Sequence, residues 1–138
     1  MNGIELSTIQ SNGITMQIAQ PGKGPAVLLV HGWPESWYSW RHQISALAQA
    51  GYRVIAPDMR GYGGSECPED SSEYRIDILA ADLVGILDAL GEDSAVLVGH
   101  DWGSAVGWVT VAFHSDRVIS WTALSVPHLD AFFEAMNN

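Results

Sequence analysis

The chain has 138 residues, 47% of them apolar, enough for one domain with a continuous core and too apolar for a disordered tail. Its formal net charge is −10, with only six Lys plus Arg, so its surface repels phosphate backbones and anionic lipid. This argues against nucleic-acid and membrane-surface partners and reads as simple solubility. Cys67 is the single cysteine and allows neither an internal disulfide nor a CxxC site. Met1 to Gln10 holds no basic cluster followed by an apolar run, and no apolar run approaches a membrane span. A reducing, cytoplasmic location is the expectation.

Taken in chain order, Ile4–Ile9 and Ile14–Ala19 are strand-like and flank Ser11-Asn12-Gly13, which predicts a hairpin. After the Pro21–Pro25 turn, Ala26–Val30 runs apolar without alternation, as a strand covered on both faces does. Ser36 can cap a helix that carries Trp37, Trp40, Ile44 and Leu47 on one side and stops at Gly51. Val54–Ala56 is a second short buried strand, followed by the glycine-rich loop Arg60–Ser65. From Glu73, the residues Ile76, Leu79, Ala80, Leu83 and Leu87 keep helical spacing up to Gly91. Ala95–Val98 is a third buried strand, and Gly99–Gly103 turns it into a helix through roughly His114. Val118–Val126 is a fourth buried strand, after which His128–Asn138 starts one more helix. This alternation predicts an α/β fold. Its sheet is mostly parallel, with right-handed crossovers and an antiparallel N-terminal hairpin at one edge.

The segment Gly99-His100-Asp101-Trp102-Gly103 carries the strongest chemical signal. A sharp strand-to-helix turn needs small residues two before and two after its centre, and it pushes the central side chain out above the sheet. A serine at that centre attacks carbonyls. A carboxylate attacking a saturated carbon instead forms an ester that water can release, so Asp101 points to substitution at an alkyl carbon. It is already ionised at neutral pH, and the helix N-terminus behind it favours the charged form. The competing reading is a plain helix N-cap, for which Asp is well suited.

His31-Gly32-Trp33-Pro34 directly follows the first buried strand. An oxyanion hole in this architecture needs two backbone N–H donors. One is the residue after the nucleophile, Trp102, and the other is best placed at Trp33, because Pro34 has no N–H. Trp33, Pro34 and Trp102 would also wall a substrate site, whereas Trp37 and Trp40 read as packing residues. His31, Gly32, Gly99, His100 and Gly103 read as the structural frame of the turn. The five histidines show no HExxH-like spacing, so no metal is expected. His100 reads as a buried histidine bonded to backbone; His128 lies just past a strand end, within approach of the site, but is not expected to serve as its base. The Arg60–Ser65 loop lacks phosphate-loop spacing and reads as a tight turn.

From about Gly24 onward, the chain resembles the α/β-hydrolase-fold epoxide hydrolases. The resemblance rests on His31–Trp37 (HGWPESW), on the Pro57–Ser65 loop (PDMRGYGGS), on the Gly99–Gly103 elbow (GHDWG) and on Ser125-Val126-Pro127. It implies an α/β-hydrolase core, an alkyl-enzyme ester on Asp101, oxyanion donors from Trp33 and Trp102, a small apolar epoxide as substrate, and no cofactor. Haloalkane and haloacetate dehalogenases share the Asp elbow and are the nearest rivals; a truncated, non-catalytic interaction module is the reading from another class. Family members continue past Val126 into a helical cap with two tyrosines, then into strands that bear an acidic residue and a histidine. The expectation is therefore that residues 1–127 form the N-terminal half of the core and residues 128–138 begin the cap. The incomplete core would be completed by a C-terminal segment or another chain, and its last strand would leave an unpaired edge.

Overall fold

The computed structural model describes residues 4–137; Met1–Gly3 and Asn138, the outer ends of the two predicted regions, lie outside the described residues. Strands β1 (Leu6–Ser11) and β2 (Ile14–Ala19) form the predicted hairpin. Its turn is Asn12-Gly13, with φ of 48° and 82°, the left-handed geometry that matches the twist of a two-residue hairpin. The first strand runs to Ser11 rather than stopping at Ile9, because the turn itself needs only two residues. Ser11 is buried and its hydroxyl donates to the Asp82 carbonyl at 2.8 Å.

Strands and helices then alternate. They are β3 (Ala26–Val30), α1 (Arg41–Gln49), β4 (Arg53–Pro57), α2 (Ile76–Leu90), β5 (Ala95–His100), α3 (Trp102–Phe113) and β6 (Val118–Leu124). The six strands make one sheet in the order β1-β2-β4-β3-β5-β6, in which β4, β3, β5 and β6 are parallel and the hairpin adds antiparallel to β4. Side chains alternate along β3. Leu28 and Val30 join Met16, Leu83, Ile86 and Val106 beneath α2 and α3, while Val27 and Leu29 join Trp40 and Ile44 beneath α1. That two-sided cover explains the unbroken apolar run of β3.

Other boundaries also differ from the sequence reading. A single 3-10 turn, Trp37–Tyr38–Ser39–Trp40, precedes α1, and the Ser36 hydroxyl accepts from the Tyr38 N–H at 3.3 Å to start it. A second such turn over residues 71–74 precedes α2 and is capped by Asp70; Arg75, at ψ 145°, separates it from the helix. Strand β6 stops at Leu124 rather than Val126. Ser125 takes a φ of 64°, and the Val126 carbonyl turns back to accept from the Trp108 indole N–H at 3.0 Å. As expected, β6 lies at the sheet edge, where Ile119 and Leu124 are exposed. Helix α4 (Leu129–Met136) also exposes Leu129, Phe132, Phe133 and Met136.

Two polar anchors hold the loops above the sheet. The Asp58 carboxylate accepts from the Trp37 N–H at 2.9 Å, the Gly64 N–H at 2.9 Å and the Gln17 side-chain amide at 2.8 Å. Arg60 lies in the loop that reads as a simple turn, yet its side chain is 1% exposed. It grips Asp82 of α2 with Nε at 2.9 Å and Nη2 at 2.7 Å and reaches Glu73 with Nη1 at 2.9 Å. Burying a guanidinium is tolerable here only because a carboxylate meets it in a two-pronged pair.

Candidate active site

The turn between β5 and α3 is crowded, as its glycines require. A Cβ on Gly99 would stand 2.5 Å from the Gly103 carbonyl oxygen, and one on Gly103 would stand 2.2 Å from that of Val30. Between them Asp101 has φ 56° and ψ −125°, a conformation that glycine adopts freely and a residue with a Cβ does not. The Asp101 carbonyl accepts from Ser104 N–H at 2.9 Å and Ala105 N–H at 3.2 Å, so the backbone begins the helix. The side chain makes no capping bond, which sets aside the plain N-cap reading. Its Oδ2 instead accepts from the Trp33 N–H at 3.1 Å. That donor, with the Trp102 N–H, holds the Asp101 carboxyl below the usual carboxylate range.

Close approach of the two loops depends on Gly32. A Cβ there would lie 2.5 Å from the Asp101 Cβ and 2.8 Å from its Oδ2. His31, before it, is buried. Its Nδ1–H donates to the Gly32 carbonyl at 2.8 Å, and its Nε2 accepts from the Met59 N–H at 2.9 Å. Those two partners fix one neutral tautomer. Burial pushes its pKa down, against backbone bonding to Gly32 and the charges of Asp58 and Glu35. The Gly32 carbonyl also accepts from the Glu35 N–H at 3.0 Å, closing the loop on itself.

A cavity of about 220 Å³ opens beside this turn, lined by His31, Gly32, Met59, Tyr62, Trp102 and Val106 among others. Of the three expected wall residues only Trp102 lines it; Trp33, Pro34 and Trp102 are all exposed, with 64% of Trp33 and 61% of Trp102 accessible. Burial, then the charge of Asp101, raises the pKa of Tyr62, and the Tyr62 ring meets His31 edge-on at 5.1 Å.

The expectation that His100 is a buried histidine bonded to backbone is wrong. Its side chain is 43% exposed, and its Nδ1 lies 3.3 Å from Glu35 Oε1, because it follows the strand out to the sheet top; the buried histidine is His31. The His128 ring accepts from the Asp130 N–H at 3.2 Å and meets Trp108 edge-on at 5.0 Å, so it caps α4. Asp58, Glu35 and Tyr62 escaped the sequence reading as parts of this assembly. The one available signal was the position of Asp58 and Tyr62 directly beyond a buried strand. Among the described residues, no group of three or more His, Cys, Asp and Glu could hold a metal ion.

Residues 25–137 match the family model described as alpha/beta hydrolase fold. Epoxide hydrolase 2 of Siraitia grosvenorii is 51% identical over 129 residues, covering 94% of this chain and 41% of the relative. Epoxide hydrolase A of Mycobacterium tuberculosis (strain ATCC 25618 / H37Rv) is 54% identical over 123 residues, 88% of this chain and 38% of the relative. The crystal structure of epoxide hydrolase VrEH1 from Vigna radiata superposes with a TM-score of 0.90 at 50% identity, covering 93% of this chain and 40% of that one. The chain thus spans about 40% of the length of the relatives it matches.

Proposed function

The chain belongs to the alpha/beta hydrolase fold family, and from that premise we propose that it is the nucleophile-bearing part of an enzyme that opens small apolar epoxides to diols. The observation that carries the reading is the Asp101 carboxylate on a strained strand-to-helix turn, with the Trp33 N–H 3.1 Å from one of its oxygens. The oxygen not held by Trp33 attacks an epoxide carbon, the ring C–O bond breaks, and the freed oxygen takes a proton. Water then attacks the ester carbonyl. Trp33 and Trp102 N–H groups receive the negative charge on the carbonyl oxygen, and the diol leaves as the carboxylate re-forms. Because the carboxylate is held ionised, the first step needs no base.

We assign the ring-opening acid and the base for ester hydrolysis to the part of the fold that the relatives have and this chain does not span. Residues 1–127 then correspond to the first half of the core, and residues 128–138, with α4, to the start of a cap. A small apolar substrate suits the cavity and the exposed Trp33 and Trp102 beside it. No helix among the described residues is long and apolar enough to cross a membrane, and an exposed free Cys67 fits a reducing compartment such as the cytoplasm.

The test is mass spectrometry after incubation with a small aryl epoxide. The expected result is addition of one epoxide mass to the peptide holding residue 101, absent in Asp101→Asn. An adduct only at other positions, such as the exposed Cys67 thiol, or an Asp101→Asn variant that still carries one on that peptide, refutes the covalent reading. Halide release from haloalkanes, with no epoxide adduct, replaces the substrate by that of a dehalogenase.

A further inference from the structure

We infer that His31 is a positioning residue that aims the Trp33 N–H at Asp101, doing so through the carbonyl of the same peptide group. The Gly32 carbonyl and the Trp33 N–H belong to one planar unit, so turning one turns the other. His31 Nδ1–H holds the carbonyl at 2.8 Å, and the Trp33 N–H meets Asp101 Oδ2 at 3.1 Å. The ring cannot swivel, because the Met59 N–H donates to its Nε2 at 2.9 Å and the Tyr62 ring braces it at 5.1 Å. Met59 in turn adjoins Arg60, which the buried pair with Asp82 pins to α2. The histidine thus links a rigid point of the core to the Trp33 donor, beside the local turn in which the Glu35 N–H meets the same Gly32 carbonyl at 3.0 Å. The role of that donor in charge stabilisation rests on the function proposed above; the aiming does not.

The two ring nitrogens can be separated chemically. An asparagine amide stands near the place of Nδ1 and keeps a donor for Gly32, whereas a glutamine amide stands near Nε2 and keeps only an acceptor for Met59. The chain is labelled with ¹⁵N and ¹³C, and two signals are followed by NMR in His31→Asn and His31→Gln: the Trp33 amide proton and the pH midpoint of the Asp101 carboxyl carbon. The expected result is that His31→Gln shifts the Trp33 amide upfield and moves the Asp101 midpoint upward, while His31→Asn keeps both near their original values. A purely structural role would move the two variants together, so equal shifts in both, or none in either, overturn the inference.

Should a variant fail to fold, the unmodified chain still decides. The His31 ring nitrogens must show the proton on Nδ1, and a proton on Nε2 at neutral pH overturns the proposal. Loss of epoxide adduct formation without these NMR changes counts against the function and leaves the positioning intact.

Discussion

Replacing Asp101 by glycine should give a more stable chain than replacing it by alanine, the reverse of the usual order. Both variants lose the carboxylate and its bond to Trp33, so their difference isolates the backbone. At φ 56° and ψ −125°, a residue with a Cβ is held at a cost of about 1–3 kcal/mol. Glycine in an ordinary position is worse than alanine by about 0.5–1 kcal/mol. Taken at the middle of each range, the balance favours Asp101→Gly by roughly 1 kcal/mol. For a domain of this size, the melting temperature should be higher by roughly 4 °C. Thermal melts of the two variants, followed by far-UV circular dichroism, read this directly, with Gly107→Ala and similar crowded sites avoided as controls. If Asp101→Ala melts at or above Asp101→Gly, the turn is not strained, and the argument that the fold holds a carboxylate out against its backbone preference is wrong.

Two further outcomes follow from the same contacts. Asp82→Ala leaves the Arg60 guanidinium buried without its main partner and should cost about 3–5 kcal/mol, read as a lower urea midpoint; a loss below about 1 kcal/mol would mean the pair is not buried in solution. His31 is held neutral, its pKa below the ordinary 6.5, so acid favours the unfolded chain, which takes the proton first. Its contribution is complete above 6.5 and is lost as pH falls from there toward the folded-state value, by at most about 1.4 kcal/mol per pH unit. Asp58, Glu35 and Tyr62 are the titratable groups facing it, and the two carboxylates oppose the shift. His31→Asn should flatten the fall in stability as pH drops below 6.5, and an unchanged slope would place the titration elsewhere.

Much of this architecture was legible in the residues, for identifiable reasons. The run Ala26–Val30 could only be a doubly covered strand, and the small residues around Asp101 could only serve a cramped turn. Local pattern reading failed where distant segments decide. Nothing beside His100 in sequence reveals that Glu35 lies 3.3 Å away, or that the strand carries its ring into solvent. The end of β6 depended on an indole from α3 capturing the Val126 carbonyl. Arg60 looked like part of a tight turn because its partner, Asp82, lies on a helix 22 positions later. The start of α1 was misjudged because the capped 3-10 turn before it spaces Trp37 and Trp40 as the first turn of an α-helix would.

The Asp58 carboxylate bonds to backbone at Trp37 and Gly64 and to a side chain of the hairpin at Gln17. Segments that bear chemistry usually fluctuate independently of the sheet they stand on. Here one acid ties a β-ribbon, the segment after Pro34 and the glycine loop into a single opening unit. Amide hydrogens at positions 37 and 64 should therefore exchange with a common free energy, as members of one foldon, instead of fraying residue by residue.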